Sequence, residues 1–299
     1  MILWLVGAAL AGPVSPAFGW RAQDRWAVTF DRVSEQAGTA TAMTAHTTAT
    51  WTWTVRAVTG GLEVVASDYA LQATTGLPRG GDDAEGVAAA LQAAAPSLRV
   101  SAAATVTALL DPSTQRAAAE RLLRASRTLS GPRVEAFKAQ LSDAGLRTAT
   151  DEWWSRLVGS WAGQTFYPGQ PDHLTVSAPV PFLGGTSVQH DVTQGSDGTA
   201  PCPRATTTPC GRFTLRMVPN PGALKVAIRD HQAAAASSNN RLATAEAALE
   251  VELYAEPVTL VPHQLRVVRT THLVGAPTSG KATLDSRTTE TATWSFTRR

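Results

Sequence analysis

The stretch Met43–Ala73, MTAHTTATWTWTVRAVTGGLEVVASDYALQA, decides how the rest of the chain is read. Ala45, Ala49, Trp51, Trp53, Val55 and Ala57 fall at odd positions, and Thr44, His46, Thr48, Thr50, Thr52, Thr54 and Arg56 at even ones. Side chains alternate across a strand with period two, so the segment presents one apolar, tryptophan-bearing face and one hydroxyl-rich face. Thr59-Gly60-Gly61 supplies the backbone freedom of a tight reversal, and Leu62–Ala73 returns as a β-rich partner. A long hairpin with one apolar face must be covered, and the remaining segments are read as its neighbours and its cover.

Upstream, Trp26, Val28 and Phe30 alternate with Ala27, Thr29 and Asp31 and mark a first strand. Downstream, Leu77–Gly86 reads as a loop, Val87–Ala95 as an alanine-rich helix ended by Pro96, and Leu98–Leu110 as a strand. At Asp111 the period changes to that of a helix. Asp111-Pro112 is an N-cap with proline at the first helical position, and Ala119, Leu122 and Leu123 make a short stripe. Ser130–Gly145 reads as a second helix, with Gly145 as its end. In a third, Trp154, Leu157, Val158 and Trp161 fall at i, i+3, i+4 and i+7, with Thr150 or Asp151 capping its start and Gly163 its end. Trp153 lies at the margin of that stripe and is expected to be partly exposed.

Phe166–Gly185 carries four prolines and reads as a surface or edge segment. Val188–Val192 and Phe213–Met217 read as strands joined by a loop over about 194–212, Asn220-Pro221 begins a helix, and Ala233–Asn240 is a flexible connection. Alternation returns around Leu249, Leu265 and Trp294 as an antiparallel meander. Strands, then helices, then strands predict an α+β fold: a curved, mostly antiparallel sheet covered by a central group of helices at about 111–163. One domain over 20–299 accommodates it.

The first twenty residues, MILWLVGAALAGPVSPAFGW, contain no charged side chain. The apolar run Ile2–Gly12 is too short to span a bilayer and suits a signal peptide, expected over 1–19 with cleavage after Gly19 or Ala17. It lacks a positive n-region, which a misassigned start codon would explain. Processing would leave no transmembrane anchor and a secreted or periplasmic protein. Cys202 and Cys210 bracket CPRATTTPC, and such a compartment permits their disulfide. Closing so small a loop stabilises the fold by roughly 2.6 kcal/mol on the chain-entropy model. A metal site needs further ligands, and neither a second cysteine pair nor a nearby histidine is present in the sequence around it; no metal or cofactor is expected.

A net charge of +2, with no basic run interleaved with aromatics, argues against nucleic acid. Gly275–Ala282 resembles a phosphate-binding loop, but Ala282 stands where the magnesium-binding hydroxyl belongs and no helix follows. Gly159–Gly163 lacks the central serine of a nucleophile elbow. The six histidines never pair at i, i+2 or i, i+4. His190-Asp191 would point to opposite faces of a strand, and Glu250 and Glu252 read as a solvated strand face. No catalytic residue emerges, so an enzyme is disfavoured, although a hydrolase site assembled from distant residues stays open.

The aromatic residues are the remaining lead. Trp51, Trp53, Trp154, Trp161, Trp294 and Phe296 can converge on one space, either as a core or as the wall of an apolar cavity for a hydrophobic ligand. In layout the chain resembles the periplasmic lipoprotein-carrier type of half-barrel, and several families of uncharacterised secreted bacterial proteins. That resemblance implies an acyl chain as ligand. The expected function is therefore non-enzymatic binding of a hydrophobic or lipid-like ligand in a cleft between sheet and helices. The alternative is a structural or interaction protein with a closed core that meets another envelope component.

Overall fold

The computed structural model describes residues 12–38, 42–75, 94, 96–125, 141–203, 205–234, 242–275 and 285–299. The apolar N-terminal run up to residue 11 and most of the loop and helix expected over 77–95, of the helix expected over 130–145, of the connection at 233–240 and of the phosphate-loop-like segment lie outside them.

Strands alternate along the chain as β1 (Arg25–Gly38), β2 (Met43–Val58), β3 (Gly61–Thr75), β4 (Leu98–Ser101), β5 (Val106–Leu109), β6 (Asp172–Val180), β7 (Thr186–Cys202), β8 (Ala205–Pro219), β9 (Leu242–Ala255), β10 (Pro262–Gly275) and β11 (Asp285–Arg298). They form one sheet in the order β5-β4-β3-β2-β1-β11-β10-β9-β8-β7-β6, with every pairing antiparallel. Two meanders thus meet where the first and last strands pair, placing Phe30 opposite Trp294 and Val28 opposite Phe296. The central hairpin forms as its alternation requires: Ala49, Trp51, Trp53 and Val55 are buried. Gly60 turns it with φ of 83°. A Cβ on Gly61 would stand 1.9 Å from the Val100 carbonyl oxygen, so only glycine lets β3 approach β4 there.

The expected α+β class is overturned. Strands make up 60% of the structure against 19% helix, and among the described residues only three α-helices occur: α1 (Pro112–Ala125), α2 (Asp143–Trp154) and α3 (Pro221–Ala234). They are too few to form a layer over eleven strands. The reason lies in segments not read as strands or not read at their full length. Phe166–Gly185 contributes β6, an edge strand, where Pro179 costs least because one side of the ladder is unpaired. The loop expected over 194–212 is instead the far half of the β7–β8 hairpin, whose ladder runs out to Cys202 opposite Ala205. Leu98–Leu110 is two short strands, broken where Ala104 turns with φ of 61°.

α2 begins earlier than its tryptophan stripe suggests. Ser142 caps it by accepting from the Gly145 N–H, which puts Gly145 in the first turn of this helix rather than at the end of another. Beyond Trp154 the helix widens to a π-turn at Ser155–Gly159. Leu146, Trp154, Leu157, Val158 and Trp161 from this segment join the core formed by Trp26, Phe30, Trp53, Leu265 and Trp294. Trp153, expected at the margin, is buried as well, with its ring centroid 5.1 Å from Trp53 and 6.4 Å from Trp294. The stripe margin is covered because the sheet face is wide enough to receive both indoles.

Residues 13–20 form a strap across this core. Val14 and Phe166 exchange backbone hydrogen bonds, Pro16 accepts from the Gly163 N–H, and the Ala17 and Gly19 N–H groups donate to the Val258 and Thr259 carbonyls. Phe18 packs on Trp20 and Trp154, and the buried Trp20 indole donates to the Leu260 carbonyl at 2.9 Å.

Candidate functional site

The six aromatic residues singled out in the sequence all lie in one buried cluster: Trp51, Trp53, Trp154, Trp161, Trp294 and Phe296. They divide into two packed groups. Trp53 stacks near Trp20, Trp51, Trp153 and Phe296, whereas Trp161 packs on Phe166 and Phe213. The void between Trp51, Trp153 and Trp294 measures about 10 Å³, room for a single water at most.

The same sheet face carries a buried charge cluster. Arg32, fully enclosed on β1, donates to Glu290 of β11 at 2.9 Å, and Arg269 of β10 lies 3.6 Å from the other oxygen of that carboxylate. On the π-turn, Arg156 donates to Glu152 at 3.1 Å. Burial, reinforced by repulsion from Arg269, lowers the Arg156 guanidinium to about 10, with Glu152 and Glu290 pulling the other way. Removing one partner from such an enclosed pair costs about 3–5 kcal/mol, so the cluster ties the π-turn region and three strands together.

The large cavity is elsewhere. A groove of about 1150 Å³ runs between α3 and the strands β8 to β11. Its α3 wall includes Leu224, Lys225, Ile228 and Arg229, where Asn220 caps the helix by accepting from the Gly222 and Ala223 N–H groups. The strand wall is built from Val218, Thr244, Ala248, Thr270 and Thr289. These positions alternate with Met217, Leu249 and the core residues Val267 and Trp294, so they belong to the face opposite the tryptophan core. Basic side chains border the groove at Arg216, Lys225, Arg229 and Arg287; Glu246 lines it as well, and Arg216 and Arg229 are ion-paired with Glu250 and Asp230. Three of them are conspicuous in sequence only as isolated charges. The usable signal was the run Ala243–Ala248, ATAEAA, whose small residues on both strand faces leave space beside a helix.

The cysteines pair as expected, Cys202 with Cys210. The structure adds a neighbour that the sequence did not suggest, since His263 of β10 offers a ring nitrogen within 4.8 Å of both sulfurs. His190 is buried and its Nδ1 contacts the Val188 carbonyl at 2.8 Å, while Glu250 and Glu252 face Arg216 and Arg212. No described helix is long and apolar enough to cross a membrane.

Comparison with known proteins gives little. No family model matches the chain, and no curated protein matches it. Among solved structures, a chain described as lipid–protein interactions in lipovitellin is similar over 93% of this chain, at 8% identity and a TM-score of 0.43. This chain spans 25% of that one's length, and a likeness of this degree carries no argument about function.

Proposed function

We propose that the protein is an exported, non-enzymatic binding protein that holds a long-chain anionic amphiphile in the groove between α3 and β8–β11. The observation that carries this reading is the groove itself. At about 1150 Å³ it exceeds the roughly 300–1,000 Å³ of most small-ligand pockets. Apolar and hydroxyl side chains supply its floor, which suits an acyl chain, and Lys225 and Arg287 on its border suit a carboxylate or phosphate head. A hydrolytic site is less well supported. Among the described residues lining the groove there is no serine or cysteine beside His272, whose Nε2 meets Asp285 at 2.9 Å and whose Nδ1 lies 3.9 Å from Glu246. The envelope-interaction reading draws on the edge strand β6, where Leu174 and Val176 are 48% and 38% exposed.

Oleate is expected to displace a fluorescent fatty acid from the protein saturably, at about one molecule per chain, and oleyl alcohol to compete more weakly. Ala248→Trp fills the floor of the groove on a half-exposed position, so it is expected to weaken oleate binding at least about tenfold while changing stability by less than about 0.5 kcal/mol. Equal binding by the variant would remove the groove as the site. Absence of binding by the native chain would leave interaction through β6 as the better reading.

A further inference from the structure

We propose that Cys202, Cys210 and His263 form a redox-gated site for a thiophilic divalent cation such as zinc. Oxidised, the two sulfurs are bonded to each other. Reduced, they and the imidazole supply three ligands to one ion. The site is independent of the amphiphile groove.

The fold brings these residues together across four strands. Cys210 precedes Gly211, which pairs with Ala255 of β9, and Ala255 pairs with Pro262 beside His263. The three ligand atoms lie within 4.8 Å of one another, and both cysteines are buried. A structural disulfide needs no histidine. Here the His263 Nε2 atom is buried and has no hydrogen-bond partner among the described residues, although buried polar atoms nearly always have one.

Two thiolates and an imidazole are a zinc-type ligand set, with Zn–S near 2.3 Å and Zn–N near 2.0–2.1 Å. Tetrahedral bonding at those lengths sets the ligand atoms about 3.5–3.8 Å apart, so the reduced sulfurs must part from bonding distance while the imidazole closes in by on the order of 1 Å. Three protein ligands leave the fourth position to water. A dithiol reductant transfers two electrons and two protons to the Cys202–Cys210 bond, yielding two thiols and its own disulfide. Metal binding then displaces both thiol protons to solvent, and the dication with two thiolates is neutral overall, which suits a buried position.

The test uses the full chain, reduced with a dithiol, freed of it by anaerobic gel filtration and titrated with Co²⁺. One ion per chain is expected to bind, with thiolate-to-cobalt charge-transfer absorption and tetrahedral d–d bands that zinc abolishes. The oxidised chain is expected to show neither. His263→Gln, which leaves the cysteines in place, is expected to weaken binding at least about tenfold and to change the d–d bands. Equal binding by this variant overturns the proposal, as does a reduced chain that binds no cobalt or that loses its native tryptophan emission on reduction.

Discussion

Replacing Trp53 by alanine is expected to destabilise the protein by about 3–5 kcal/mol and to lower its melting temperature by on the order of 10 °C. Trp53 is fully buried at the middle of β2, where it packs on Trp153 at 5.1 Å and on Phe296 at 5.8 Å between ring centroids. Alanine would leave a cavity that β1 and β3, held by ladders on both sides of β2, cannot collapse into. Trp53→Phe is expected to lose less than half as much. Chemical unfolding of both variants followed by Trp emission checks this. A loss below about 1 kcal/mol for the alanine variant would mean that the indole cluster is not a packed core.

The second large effect concerns the strap. A chain beginning at Trp20 is expected to be less stable than one beginning at Gly12 by about 2–4 kcal/mol. Five backbone hydrogen bonds would be lost, each worth about 1 kcal/mol net, partly offset by the freedom the segment regains. Loss of the Phe18 ring would uncover Trp20 and Trp154. Cleavage after Gly19 would produce the shorter form. Sequencing the N-terminus of protein recovered from outside the cytoplasm, with denaturant unfolding of both forms, decides which one the cell keeps. Equal stability would show that the strap contributes nothing.

The central hairpin, the Asn220-capped helix and the terminal meander were legible because each signal is local: alternation, a cap, a glycine reversal. The predominance of sheet was not. Pro179 in Phe166–Gly185 argued against a strand, and only a place at the sheet edge makes it acceptable, which is knowledge of topology rather than of sequence. The Pro- and Thr-rich stretch around the cysteines hid the outer half of the β7–β8 hairpin for a similar reason. Aromatic convergence was visible because tryptophans announce buried area. Which face keeps open space was not visible, because a groove is defined by what the chain omits. Ala248, Thr270 and Thr289 are unremarkable alone and form a floor only when three strands align them beside α3. His263 escaped notice because 53 residues separate it from Cys210, a distance the sheet register closes and no spacing rule spans.

Photo-crosslinking reads the location of the ligand. A diazirine-bearing long-chain fatty acid, irradiated with the purified protein at one equivalent and mapped by peptide mass spectrometry, is predicted to label residues 221–234 and 242–248, with labelling suppressed by excess oleate. Labelling concentrated in residues 43–58, around Trp51 and Trp53, would place the ligand in the tryptophan core and not in the groove beside α3.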